Sequence, residues 1–269
     1  MHIPVLLKES IEGLKIKQGG IYVDCTTNRG GHSVEIARVL GTEGVLICID
    51  LDQEALREAR EIIEKVKNLP KLHFIQSNFR YLPSILKDLK ISHVDGILAD
   101  LGVSSQELDD SKRGFSFRFD EPLLMTYTKN PDEDQTTAYD IVNCWSESTI
   151  ADVLYGFADE TYSRRIASAI IKKRDEAPIK TTFELVDVIG GAVPALYRHR
   201  KTHYATKTFQ ALRMATNDEL GSTGDLLETL PEILASNGRA EFTSLRCSSS
   251  RWPSGRTSSR LSIPSWSSR

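Results

Sequence analysis

Residues 21–33 read IYVDCTTNRGGHS, an apolar run that ends near an acid and leads through two glycines into a helical pattern. Similar runs rich in Ile, Val and Leu follow it and alternate with amphipathic stretches, which is typical of βαβ units around a parallel sheet. We predict strands at 21–25, 45–50, 72–76 and 94–100, with helices at 33–40, capped by Ser33, and at 52–66. The sequence therefore predicts a doubly wound α/β domain.

The composition is that of an ordinary globular protein: 269 residues, 40% hydrophobic and 26% charged. A net charge of −3 argues against a protein that coats nucleic acid by charge alone. No apolar run is long enough for a membrane span and the N-terminus lacks signal-peptide features, so we expect a cytoplasmic protein. Four cysteines lack metal-binding or redox spacing, and we expect buried, reduced thiols and no metal site. They are Cys25, Cys48, Cys144 and Cys247.

The pattern changes after residue 105. Residues 106–206 show no alternation of strand and helix but several helical patterns, at 148–157, 160–174 and 182–196, and are predicted to form a helical insertion. Helical patterns return at 208–220 and 225–234, where a fifth strand is due but is not evident. We therefore predict that 1–105 and 207–239 form one domain and 106–206 a second.

Residues 240–269 are dominated by Ser and Arg. Such a segment buries too little apolar surface to offset the entropy of ordering it. Two interpretations stay open: a disordered tail, or a reading frame that slips near Gly238.

The glycine turn predicts a nucleoside ligand. Gly30 and Gly31 lie where a strand leads into a helix, and Asp50 follows twenty residues later, at the position from which an acid binds a ribose. The alternative is a tight turn with an acid that caps a helix. The turn lacks the GxGxxG pattern of dinucleotide sites and the chain lacks a P-loop, which leaves S-adenosylmethionine as the best fit. A nicotinamide oxidoreductase is the less favoured alternative.

A second cluster follows the fourth predicted strand, where residues 99–105 read ADLGVSS. Asp100, Ser104 and Ser105 lie at the same edge of the predicted sheet and are candidates for binding a methyl acceptor. They are equally suited to satisfying backbone amides in a loop.

Several motifs in order resemble the ribosomal RNA small subunit methyltransferase H family, also called MraW. They lie at residues 24–33, 50–56, 100–105, 113–117 and 208–220. The resemblance covers residues 2 to about 239. It implies a Rossmann-like class I methyltransferase with a mostly parallel sheet and an inserted all-helical domain. It also implies methylation by S-adenosylmethionine of the N4 amine of a cytidine in the decoding region of 16S rRNA.

The resemblance also implies site residues. Asp50 would bind the ribose hydroxyls, Phe79 would pack near the adenine, and the turn before Ser33 would face the methionine end. The implied cofactor contacts are Gly30, Gly31, His32, Asp50, Phe79, Asp100 and Glu107. Asp100, with Ser104 and Ser105 nearby, is the candidate acceptor for the cytosine amine.

The chain departs from the family pattern in four places. Asn28 stands where Gly is usual, and Asn tolerates positive φ better than most residues. Glu107 replaces Gln, and Leu124 and Thr126 replace Asp and Arg. The last strands of the sheet, due from about Ala240, are missing from the pattern, so a truncated, catalytically impaired cofactor- or RNA-binding homologue is the alternative function.

Cations in the predicted insertion are candidates for binding RNA phosphates. One cluster, which extends just beyond the insertion, comprises Arg198, His199, Arg200, Lys201, His203 and Lys207, and another lies on the 160–174 helix. The expected partner is 16S rRNA or the small ribosomal subunit, rather than DNA or a membrane. Monomer and homodimer are both open.

Overall fold

A computed structural model describes residues 6–102, 112–131 and 134–244, and the backbone of residues 259–264. The described residues form two compact units. The first contains residues up to Gly102 and from Leu220 onward, and the second contains residues 112 to 219. No helix in these ranges has the length and apolar character needed to span a bilayer.

The first unit is built on a six-stranded sheet in the order β3-β2-β1-β4-β5-β6. Five strands are parallel, and the last pairs antiparallel with β5. The strands are β1 Ile21–Asp24, β2 Val45–Asp50, β3 Lys71–Gln76, β4 Val94–Leu101, β5 Leu234–Ser244 and β6 Ser259–Pro264. The strand order reverses at β1, so the carboxyl ends of β1, β2 and β4 flank the point where such sheets bind ligands.

Helices cover both faces of this sheet. One core joins the sheet to α1 (Leu7–Leu14), α2 (Gly31–Leu40) and α3 (Gln53–Ile63). A second core joins the opposite face to α4 (Leu82–Asp88) and α11 (Glu219–Ile233). Successive strand residues alternate between the cores, since Tyr22 lies in the first and Val23 in the second. Burial on both faces explains the continuous apolar runs in the sequence.

The four predicted strands are confirmed to within one residue at each end. The predicted start of the helix at 33–40 is wrong. α2 begins at Gly31, because the Ser33 hydroxyl donates to Asp24 Oδ2 at 2.6 Å instead of capping the helix. Asp52 does cap α3, accepting from the backbone N–H groups of Glu54 and Ala55.

The prediction that the fifth strand is missing is also wrong. β5 pairs with β4 through Ile97↔Ala240 and Asp100↔Thr243. Its start is hidden in the sequence because the register shifts: Val94 pairs with Leu234 and Gly96 with Arg239. Residues 235–238, which read ASNG, therefore bulge from the strand, with Asn237 at φ 71°, and their sequence resembles a turn. Ala240 and Phe242 then bury their side chains in the core beside α11.

The second unit is helical in the part that the structure describes. Its helices are α5 Ala138–Cys144, α6 Glu147–Ala158, α7 Ser163–Glu176, α8 Thr182–Ala192, α9 Ala195–Arg198 and α10 Thr206–Thr216. They share one apolar core. Capping boxes at Thr137 and Thr181 fix the starts of α5 and α8. The predicted helix at 182–196 is interrupted before Pro194, which begins α9 as its N-cap.

α10 belongs to this helical unit, although the sequence placed residues from 207 onward with the sheet. Its buried residues Phe209 and Leu212 lie in the helical core, and the helix packs against α5 and α6. The boundary between the units therefore falls after α10.

Three cysteines lie in the described part of the chain. Cys25 and Cys48 are buried free thiols, as predicted, and burial raises the pKa of Cys48 to about 12. The prediction is wrong for Cys144, which is exposed, because α5 buries Ala138, Ile141 and Val142 on its other side. Cys247 lies outside the described residues.

Candidate functional site

The loop from β1 to α2 is hydrogen bonded to both strands that flank β1. The Cys25 N–H donates to the Leu98 carbonyl of β4 at 2.8 Å. The Thr27 N–H donates to the Ile49 carbonyl of β2 at 3.0 Å. The loop is therefore held across the carboxyl edge of the sheet, between the ends of β2 and β4.

Asp50 ends β2 and is fixed by two backbone groups. Its Oδ2 accepts from the Asn28 N–H at 2.7 Å and its Oδ1 from the Asp52 N–H at 2.9 Å. Asn28 has φ 46°, the left-handed conformation for which the family uses Gly and which Asn tolerates. Each carboxylate oxygen has two lone pairs, so Asp50 retains capacity to accept from hydroxyls of a ligand.

Asp100, near the end of β4, is held by two hydroxyl groups. Its backbone N–H donates to Thr26 Oγ1 at 2.6 Å, and its Oδ1 accepts from the hydroxyl of Thr243 on β5. Burial raises the pKa of Asp100, and the hydrogen bond from Thr243 opposes that shift by favouring the ionised carboxylate.

Asp24, at the end of β1, is 1% exposed. Its carboxylate accepts from the Ser33 hydroxyl and, at 3.2 Å, from the Thr26 N–H. Burial raises the pKa of Asp24 to about 6, although both hydrogen bonds lower it. Asp24 thus ties the start of α2 to the same Thr26 that holds Asp100.

The glycine turn occupies the predicted place, and helix packing explains Gly30. Gly30 has φ 79°, and a Cβ there would lie 3.2 Å from Ala59 Cβ of α3. The glycine is therefore required by the close approach of α2 to α3 and by its own left-handed backbone.

His32 and Phe79 also lie at this edge. His32 is 4% exposed in the first turn of α2, burial lowers its pKa to about 4, and no described group hydrogen bonds to its Nε2. A buried imidazole nitrogen without a partner is suited to a ligand contact. Phe79, half-buried, follows β3 in a single 3₁₀ turn capped by Asn78.

The structure thus brings most of the predicted cofactor residues to one edge of the first unit. They are Gly30, Gly31, His32, Asp50, Phe79 and Asp100. Ser104, Ser105 and Glu107 lie outside the described residues.

Sequence reasoning assigned no role to three residues of this edge. Asp24 carried a signal, since it ends its strand with an acid as Asp50 and Asp100 do. Thr26 lies inside the quoted motif without any feature that marks it. Thr243 gave no signal because its strand was predicted to be missing.

The predicted phosphate-binding cations lie in the helical unit. Arg198, Arg200 and Lys201 are exposed. Lys207 is less suited, because its ammonium group donates to the carbonyl of Asp159 at 2.7 Å. On α7, Arg174 likewise donates to two backbone carbonyls at the end of α5.

The donors and acceptors at the sheet edge fit a nucleoside cofactor without phosphates. Asp50 offers acceptors for hydroxyls, His32 has an unpartnered nitrogen, and the turn has one left-handed glycine instead of a dinucleotide fingerprint. A parallel sheet in this order, with acids ending β1 and β2 and Asp100 near the end of β4, defines a Rossmann-like methyltransferase.

Comparison with known proteins gives the family. The family model described as the MraW methylase family matches residues 1–251. The chain is 44% identical over 238 residues to the ribosomal RNA small subunit methyltransferase H of Brevibacillus brevis, covering 88% of this chain and 74% of that relative. The chain belongs to the MraW methylase family. S-adenosylmethionine, the predicted cofactor, is the methyl donor of this family.

Solved structures with a similar fold are more distant. An rRNA methylase from Streptococcus thermophilus is 9% identical, with a TM-score of 0.39, and the match covers 92% of this chain and 75% of that one. TrmN from Thermus thermophilus is 14% identical, with a TM-score of 0.39, and the match covers 91% and 39%. The family assignment therefore rests on the family model and the curated relative.

Proposed function

We propose that this protein transfers a methyl group from S-adenosylmethionine to the N4 amine of a cytidine in the decoding region of 16S rRNA. The observation that carries the proposal is Asp100, whose carboxylate is oriented by Thr243 beside the predicted cofactor residues. The relative named ribosomal RNA small subunit methyltransferase H supports rRNA of the small subunit as the substrate, and hence a cytoplasmic location.

The cofactor would be held by residues of the first unit. Asp50 would accept from the ribose hydroxyls, because two backbone N–H groups already fix its orientation. Phe79 would pack against the adenine, and His32 and the Gly30–Gly31 turn would contact the methionine end. Glu107 is proposed as one further contact. When bound, the cofactor supplies an electrophilic methyl group on a sulfonium.

The chain's own contribution to catalysis is to place and stabilise the acceptor amine. The amine gains positive charge as it reacts, so a fixed carboxylate nearby lowers the barrier. Asp100 would accept a hydrogen bond from this amine, and Ser104 and Ser105 are the further candidates for contacting it. The hydrogen bond from Thr243 to Asp100 favours the ionised carboxylate and opposes the rise in pKa that burial causes.

The test is methyl transfer to small ribosomal subunits that lack the modification, followed by mass spectrometry of the digested nucleosides. We expect N4-methylated cytidine as the product and a loss of transfer in Asp100→Asn. A methyl group on another base would contradict the proposed specificity. Full transfer by Asp100→Asn would contradict the role of its carboxylate.

Exposed cations of the helical unit would bind the RNA backbone. Arg198, Arg200 and Lys201 are the proposed phosphate contacts, and Lys207 contributes less because it caps the end of α6. If they contact phosphates, replacing them with Glu weakens RNA binding and flattens its salt dependence. Unchanged affinity at every salt concentration would contradict this assignment.

A further inference from the structure

Three rings of the helical unit stack on one another next to the basic segment. The rings of Phe117 and His203 have centroids 4.4 Å apart and planes 18° apart, and those of His203 and Tyr204 are 4.2 Å and 28° apart. Phe209 packs its ring edge-on against Phe117 at 5.3 Å. His203 is exposed although the rings of Phe117 and Tyr204 both stack on it. The imidazole is therefore held in place, and its edge is accessible to a ligand.

The hydrogen bonding of His203 determines which nitrogen of the imidazole is available to a ligand. Its Nδ1 accepts from the Ala205 N–H at 3.2 Å, so a neutral imidazole carries its proton on Nε2. Desolvation lowers the pKa of His203, which favours the neutral ring. Within the described ranges no hydrogen bond engages Nε2. The stack thus presents one fixed, uncharged N–H donor.

Cations precede this donor in the same segment of the chain. Residues 198–203 read RHRKTH, and every one of them is exposed. The Arg200 guanidinium lies 4.7 Å from the centroid of the Tyr197 ring, which orients it. The segment contains no acid. Charge therefore favours a polyanion, and the neutral donor adds a contact that charge alone does not provide.

We propose that the surface formed by Arg198, Arg200, Lys201 and the Phe117–His203–Tyr204 stack binds an unpaired nucleotide of RNA, with Nε2–H of His203 donating to its base. This inference rests on the proposed function, which supplies RNA as the substrate. An A-form duplex hides the major-groove edges of its bases in a deep, narrow groove and pairs their Watson–Crick edges, whereas an unpaired base can bring either edge to the fixed His203 ring. The cations would hold the adjacent phosphates.

The experiment measures binding of the full chain to a short labelled single-stranded RNA, and to the same strand annealed to its complement, over a series of KCl concentrations. His203→Phe is the main variant, because it keeps a ring in the stack and removes the donor. We expect it to weaken single-strand binding about fivefold, the value of one hydrogen bond, without changing the salt dependence or duplex binding.

Two further variants complete the design. Replacing Arg198 and Lys201 together with Ala should reduce the slope of log affinity against log salt by about 1.4, because each phosphate contact on a single strand contributes about 0.7. Lys87→Ala, an exposed lysine on α4 of the other unit, is the matched control and should bind as the unmodified chain does.

Two results would overturn the inference. Unchanged single-strand affinity in His203→Phe would mean that the donor does not contact RNA, and a smaller salt slope in this variant would mean that it contacts phosphate.

Phe117→Leu keeps an apolar side chain but removes one of the rings that stack on His203. It should weaken binding to a similar extent. Methyl transfer by the unmodified chain, measured in parallel, tests the proposed function separately.

Discussion

Asp24 is the most deeply buried carboxylate of the candidate site, and its protonation affects stability. Its pKa is about 6 in the folded chain, raised by burial from 3.8. The native state therefore binds a proton more tightly than the unfolded state, and the stabilisation is present at low pH and is lost as pH rises through about 6.

Asp24→Asn should remove this pH dependence. Relative to the variant, the unmodified chain should gain on the order of 2 kcal/mol in unfolding free energy between pH 7.5 and pH 4.5, from a shift of about two pKa units. Urea unfolding at both pH values measures the difference. An equal pH response in the two proteins would show that Asp24 does not titrate in this range.

Thr243 of β5 forms a hydrogen bond with Asp100 of the candidate site. Its hydroxyl donates to Asp100 and lowers that carboxylate's pKa. Thr243→Val should raise the pKa of Asp100, so that methyl transfer is lost at a higher pH on the acid side of its profile. The pH profile of methyl transfer measures this displacement.

Thr243→Ser is the matched control, because it keeps the hydroxyl and should restore the original pH profile. A merely structural role for Thr243 would lower activity at all pH values without moving the profile. That outcome would contradict the proposed orientation of Asp100.

At the scale of elements, β5 shows where a prediction from sequence fails for a physical reason. Strands β1, β2 and β4 are largely buried runs rich in Ile, Val and Leu, and their bounds follow from that pattern. β5 contains a four-residue bulge and alternates Ala240 and Phe242 with the buried polar residues Glu241 and Thr243. β5 forms by pairing with β4, and this long-range pairing is not evident from the residue pattern of β5 itself.

Phe242 tests whether β5 is part of the folded core. Its side chain is 4% exposed and lies among residues of β4 and α11. Phe242→Ala should lower the free energy of unfolding by about 3 kcal/mol, whereas Tyr81→Ala, at a residue that is 57% exposed, should change it by less than about 0.5 kcal/mol. Equal effects in urea unfolding would mean that residues 239–244 do not pack as a strand.

At the scale of the molecule, the sequence predicted the class of fold and the edge at which most of the candidate site residues meet. The glycine turn, Asp50 and Asp100 each follow a strand whose pattern is strong, so their meeting at one edge could be predicted from topology. The boundary after α10 could not, because an amphipathic helix does not reveal which core it faces. The role of Gly30 in packing against Ala59 was likewise hidden, since it depends on a contact between two helices.

The central claim is that the first unit binds S-adenosylmethionine at this edge through Asp50. The most direct measurement is calorimetric titration of the full chain with S-adenosylmethionine, alongside Asp50→Ala and, as a control of equal charge change, Glu61→Ala on the exposed side of α3. We predict saturable binding at one site, an affinity at least about tenfold lower in Asp50→Ala, and no change in Glu61→Ala. No saturable binding, or binding that Asp50→Ala leaves unchanged, would contradict the account.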